Sequence, residues 1–238
     1  MTRTASTFAI TLMAFFCAIV PAWPQVQTVN APQLVNLTQP LIYDTLPQGT
    51  VIDLSGYYLK ATVPMSAMVI IRSPAATPSN PGPQNMFVTL RFGIIDGNGM
   101  ATSIVRITET TDSTIEIAAA VNSASNCVIL DGGNFMTANN HIRIGAIANC
   151  GGNGLLVQTA TNSGSYNVQG NHIEVGQVIN NGGSGIAVIT GAWANTFIVG
   201  PVEHNVYFGC YDGSGGSGGY VNHWIVNGAN SNGLGQVC

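Results

Sequence analysis

His141 and His172 lie 31 residues apart in two copies of one motif, Asn-His-Ile-x-x-Gly, and the residue after Ile is Arg143 in the first copy and Glu174 in the second. Imidazoles titrate near neutral pH, so two of them on one face could act as a base or ligate a metal. Arg143 and Glu174, however, occupy the same motif position. Opposite charges at equivalent positions of neighbouring strands pair with each other. A third ligand backed by a supporting carboxylate is not visible. No metal and no cofactor are therefore expected. His141 and His172, with His223 in a weaker copy, read as outward side chains able to line a binding surface.

Ten Asp and Glu residues supply the remaining acid chemistry. Glycoside hydrolysis uses two carboxylates about 5 to 9.5 Å apart. Asp96, Asp131 and Glu174 each sit in or just after an apolar alternation, so one face could present them as acid and base, with Arg143 as charge stabiliser. Asp96-Gly97 and Asp131-Gly132 are also ordinary turn formers, and a turn role stands beside the catalytic one. Between Trp193 and Trp224 fall 7 of the 18 aromatic residues, so stacking surface is concentrated there. Phe197 and Trp224 take inward positions. Trp193, Tyr211 and Tyr220 flank turns, where a flat ring with a polar handle suits contact with a sugar.

The elements that must position these groups are legible from the repeat. Asn140–Val157 lies over Asn171–Val188 with 9 of 18 positions identical, an offset of 31 residues. Apolar alternations at a fixed period, separated by Asn and Gly turns, mark a β-solenoid. Alternation puts Ile142, Ile144, Ile173 and Val175 inward and His141, Arg143, His172 and Glu174 outward. Weaker copies start at Asn195 and Asn222. Asn140, Asn171, Asn195 and Asn222 fall on inward parity and read as a structural ladder of stacked amides.

Upstream, strands are expected at 50–54, 68–72, 86–95, 103–108, 113–117 and 127–130. Residues 74–83 hold four prolines and read as a loop. Residues 23–48, polar and without a period, are expected to cap the first coil; the solenoid domain is 49–238. The chain stops at Cys238 inside an apparent strand. Either the natural protein continues beyond a truncated C-terminus, or the last coil pairs with another subunit.

Only 7% of residues are charged, against about 25% in an average soluble protein. Six Lys and Arg residues and a net charge of −4 exclude a basic patch and argue against nucleic-acid binding. Residues 1–22 read as a secretory signal: Arg3, a 13-residue apolar run from Phe8 to Val20, and small residues around Ala22. No later segment is apolar enough to span a membrane, so the mature chain is expected to be secreted: extracellular, periplasmic or on the cell surface. Export leaves Cys127, Cys150, Cys210 and Cys238, with three possible pairings. Separations of 23 and 28 residues, each near one coil, favour Cys127–Cys150 and Cys210–Cys238. Free buried thiols are the alternative.

With the Asn-x-Ile-x-Val-Gly coils, the stacked turn asparagines and the segment Phe92–Gly99 (FGIIDGNG), the chain resembles the right-handed parallel β-helix (pectin-lyase-like) superfamily over residues 49–238. The resemblance implies an all-β, right-handed parallel β-helix in a bacterial secreted protein and, by analogy with phage tailspikes, a homotrimer. It fixes no reaction. The polygalacturonase set of Asp-Asp, Gly-His-Gly and Arg-Ile-Lys does not occur; Arg106-Ile107-Thr108 is the nearest approach. The clustered acidic calcium ligands of pectate lyases are also missing. The expected role is to bind an extracellular or cell-surface polysaccharide, with hydrolytic or lyase cleavage as its catalytic form. A non-catalytic surface or adhesion scaffold is the competing class.

Overall fold

The computed structural model describes residues 31–73, 85–133, 135–159, 167–214 and 221–237. The secretory signal expected at 1–22, the proline-rich loop 74–83, Tyr220 and Cys238 lie outside the described residues. Residues from Pro32 onward form one compact unit. Among the described residues every regular element is a β-strand, and neighbouring strands pair in parallel. The architecture is a parallel β-solenoid of about seven turns.

Three sheets run along it. The first stacks Gln33–Leu37, Val51–Ala61, Thr89–Asp96, Thr114–Val121, His141–Ala148, His172–Ile179, Thr196–Val199 and His223–Val226. The second stacks Leu41–Asp44, Met65–Arg72, Ala101–Thr108, Val128–Asp131, Leu155–Gln158, Ile186–Val188, Phe208–Asp212 and Gly235–Val237. A third, of two-residue strands, runs from Asn85–Met86 to Ala192–Trp193. Strands begin upstream of the expected position. Gln33–Leu37 and Leu41–Asp44, inside the segment read as a cap, pair with the first and second sheets and form the opening rung.

Because the pairing is parallel and in register, each inward position repeats at every level, and like side chains stack. One such row is Leu90, Ile115, Ile142, Ile173 and Phe197, all fully buried. Trp224 continues it, lying flat on Phe197 with centroids 4.1 Å apart and an 11° interplanar angle. Burial of each Ile in such a row is worth about 1.5–3 kcal/mol, so the apolar column, not the sparse charge, stabilises the coils.

Two corners per turn are made alike. At each, a residue with left-handed backbone precedes an inward residue, polar in every rung but that of the disulfide-bonded Cys150. Asp112, Asn139, Gly170 and Ala194 (φ 49–65°) precede Ser113, Asn140, Asn171 and Asn195. Asn122, Asn149, Asn180 and His204 (φ 56–60°) precede Ser123, Cys150, Asn181 and Asn205. Asn tolerates this conformation better than most residues, which is why Asn-Asn pairs punctuate the repeat.

Cys127 and Cys150, one coil apart with Cα atoms 5.5 Å from each other, form a disulfide. Cys210 is also disulfide-bonded.

Candidate functional site

The outer face of the first sheet carries the chemistry. Here the strands run on through the glycine that the repeat reads as a turn. Gly145 and Gly176 drop out of the pairing between Ile144/Val175 and Ala146/Gln177. A Cβ on Gly145 would lie 2.4 Å from the Ala118 carbonyl oxygen, and one on Gly176 would lie 2.3 Å from that of Gly145. Only a bare backbone fits so close to the rung before it. On this face a groove of about 600 Å³ crosses the rungs from Ser55 to Asn227 and is lined by Gly145 and Gly176.

One wall is formed by Arg91, Glu116, Arg143 and Glu174, part of a charged row that the register brings together and that Asp53 begins, one residue per rung. The signs alternate. Arg91 Nε donates to Glu116 Oε2 at 2.8 Å and faces Asp53 at 3.7 Å. Arg143 Nε donates to Glu174 Oε2 at 3.0 Å. Exposed pairs of this kind add about 0–1 kcal/mol each. They set the pattern of the surface more than its stability.

Beside this row runs another: Thr89, Thr114, His141, His172 and Thr196, then His223. His141 and His172 are direct neighbours, their rings edge-to-face at 5.1 Å. His223 is separated from them by Thr196. Both Nε2 atoms converge on one oxygen, Glu174 Oε1, at 3.2 Å from His141 and 3.0 Å from His172. The hydrogen bond from His141, then that from Arg143, outweigh desolvation, and with His172 they hold the Glu174 carboxyl down to about 2. The three-ligand group that the sequence did not reveal is thus present. The ligand atoms of His141, His172 and Glu174 all lie within 4.8 Å of one another.

Of the four residues read as catalytic, the structure brings Glu174 and Arg143 together and leaves Asp96 and Asp131 elsewhere. Asp96 ends its strand three rungs before Glu174 and five positions further along the sheet, roughly 22 Å away by strand geometry. Its buried carboxylate accepts from the Tyr58 hydroxyl, from Asn122 Nδ2 at 2.9 Å and from the Asn98 N–H at 2.8 Å. Asp131 belongs to the second sheet, where it is buried against Arg106 Nη2 at 2.8 Å and accepts from the Gly133 N–H. Both have local work at turns.

The aromatic candidates do not gather either. Trp193 lies in the third sheet and donates from Nε1 to Gln169 Oε1 at 3.0 Å. Tyr211 lies in the second sheet, stacked on Phe208 at 5.4 Å.

Asn140, Asn171, Asn195 and Asn222 form a continuous amide ladder, each Nδ2 donating to the Oδ1 of the next at 2.9–3.1 Å. A second ladder, Asn181, Asn205 and Asn232, escaped the sequence reading. Its signal was available, since Asn180-Asn181 repeats the Asn139-Asn140 doublet at the other corner. Asp53, Arg91 and Glu116 were missed for a different reason. They precede the clear repeat, so only strand register aligns them with Arg143.

Among the described residues no helix is long and apolar enough to cross a membrane. Comparisons with protein families, curated proteins and solved structures found no match to the chain.

Proposed function

We propose that this chain is an exported polysaccharide-binding β-solenoid of the pectin-lyase-like kind, and that the groove on its first sheet is the binding surface. The observation that carries the reading is the groove itself. It is open along the solenoid, about 600 Å³ in volume, and within the range of ligand sites. Planar Arg and Glu groups alternate along one wall, with bare glycine backbone lining the groove beside them. Arg and carboxylate side chains make directional hydrogen bonds to hydroxyls, and close backbone approach leaves room for a chain lying across the rungs. Export is supported by the disulfide chemistry, which persists in oxidising compartments, and by the signal-like N-terminus.

Binding is favoured over cleavage. Asp96 and Asp131 are tied into turns away from the groove, and Glu174, held at about 2, is fully ionised near neutral pH and cannot serve as a general acid. One observation favours the scaffold reading instead: the charged row is already paired within itself, so a ligand must displace Arg–Glu contacts.

The test is a panel of neutral and acidic polysaccharides offered to the purified chain, with retention on immobilised glycan measured alongside reducing ends and the ultraviolet absorbance of unsaturated products. Retention without products is the expected result. Products would restore the hydrolase or lyase reading. Folded protein that retains nothing would leave the scaffold.

A further inference from the structure

From the His141–His172–Glu174 cluster we infer a site for one borderline divalent transition-metal ion of the Zn²⁺ class, bound through His141 Nε2, His172 Nε2 and Glu174 Oε1. The inference is independent of whether a glycan occupies the groove.

The geometry is close to what such an ion requires. Zn²⁺ binds imidazole nitrogen and carboxylate oxygen at about 2.0–2.2 Å in a tetrahedral shell, which places neighbouring ligand atoms about 3.3 Å apart. Two of the three ligand-to-ligand distances are already there: Glu174 Oε1 lies 3.2 Å from His141 Nε2 and 3.0 Å from His172 Nε2. The third, between the imidazoles, falls within the 4.8 Å envelope of the group. Closing it takes a modest rotation of two side chains that are each about two-fifths exposed, 41% and 42%.

The surroundings suit the role. Parallel register fixes His141 and His172 on adjacent rungs, about 4.8 Å apart in the stacking direction, so the two imidazoles arrive as a pair with little backbone freedom to lose. Arg143 Nε holds Glu174 Oε2 at 3.0 Å. That orients the carboxylate and leaves Oε1 as the single ligand oxygen, as outer-sphere partners do at known sites. Thr114 and Thr196 flank the histidines in the same row, and the exposure of both imidazoles leaves the fourth position to solvent. Two imidazoles and one carboxylate favour Zn²⁺, Co²⁺, Ni²⁺ or Cu²⁺ over Ca²⁺ or Mg²⁺, which prefer all-oxygen shells.

The experiment uses the full chain, produced without a polyhistidine tag and stripped with a chelator. Calorimetric titration with Zn²⁺ is expected to show one ion per chain, and Co²⁺ to give the intense visible bands of a four- or five-coordinate N/O site. His141→Ala and His172→Ala should each weaken binding at least tenfold. Glu174→Gln, which keeps the shape and removes the charge, should weaken it in the same direction. All three side chains are on the outer face, so circular dichroism should match the parent. Absence of saturable binding at millimolar Zn²⁺ would overturn the proposal. So would binding that survives all three substitutions, which would place the ion elsewhere, for instance at His204 or His223.

Discussion

Asn171 receives two hydrogen bonds from Asn140 on a single atom: its Oδ1 accepts the Asn140 main-chain N–H at 3.0 Å and the Asn140 Nδ2 at 2.9 Å. Its own Nδ2 passes the pattern on, to Asn195 Oδ1 and to the Thr137 carbonyl. The amide therefore closes a turn and joins three coils at once, in a site from which water is excluded. Asn171→Ala leaves the Asn140 N–H and the Thr137 carbonyl without these partners. At about 1–3 kcal/mol for each buried polar group left unpaired, it should destabilise the fold by about 3 kcal/mol or more. Asn230→Ala, at an exposed position, should shift the denaturant midpoint by no more than about 0.5 kcal/mol equivalent. Equal effects of the two would refute the structural role of the ladder.

The acid limb of stability should depend on Asp96. Desolvation is the largest influence on its carboxyl and pushes its pKa up, but the hydrogen bonds from Tyr58, Asn122 and the Asn98 N–H together win and hold it below the ordinary value. The carboxylate in turn pushes the Tyr58 hydroxyl up to about 12. An unfolded Asp titrates near pH 3.9. A lowered native pKa means that the stabilisation is complete above about pH 4 and is lost as pH falls through the native pKa. The stability gap between wild type and Asp96→Asn should therefore be widest at neutral pH and shrink in acid. A gap that stays constant down to pH 3 would contradict the assignment.

The disulfide makes a third prediction. Cys127 and Cys150 close a loop of 23 residues, for which chain-entropy arguments give about 3 kcal/mol of stabilisation. The Cys127→Ala/Cys150→Ala variant should unfold at correspondingly lower denaturant, and a reductant should lower the parent's midpoint in the same direction. Indifference to both would argue that the bond does not form in the mature protein.

Ala194 sits at φ 55°, in the corner position that other rungs fill with Asp112, Asn139 or Gly170. A left-handed backbone costs a residue with a Cβ about 1–2 kcal/mol, a cost that Gly escapes and Asn reduces. Ala194→Gly and Ala194→Asn should each raise the thermal midpoint, by the equivalent of about 0.5–1 kcal/mol. A drop in either would mean that the alanine methyl makes packing contacts worth more than the strain.

These corners also show what the chain revealed before its coordinates. The offset between Asn140 and Asn171 was legible because one inward amide per coil writes a fixed period, and His141 fell beside His172 as soon as that period was read. The group at Glu174 was hidden by a correct inference: Arg143 and Glu174 do pair, and the pairing drew attention from the second carboxylate oxygen, which both histidines share. Asp96 and Asp131 looked convergent because both end apolar strands. The solenoid places those strand ends on different sheets, a fact of coil geometry that no local pattern encodes. Residues 33–44 carry no repeat, yet they pair as the opening rung because an exposed strand edge is satisfied by any extended segment in reach.

Glycan binding by this chain turns on which face of the solenoid holds the ligand. The decisive measurement is the dissociation constant of the best polysaccharide from the panel for the wild type, Arg143→Ala and Tyr211→Ala, each checked for intact structure. Arg143 lines the groove of the first sheet, whereas Tyr211 lies exposed on the second. Arg143→Ala is expected to weaken binding at least tenfold and Tyr211→Ala to leave it within twofold. Loss on Tyr211→Ala with Arg143→Ala unaffected would contradict this expectation and move the binding surface off the groove.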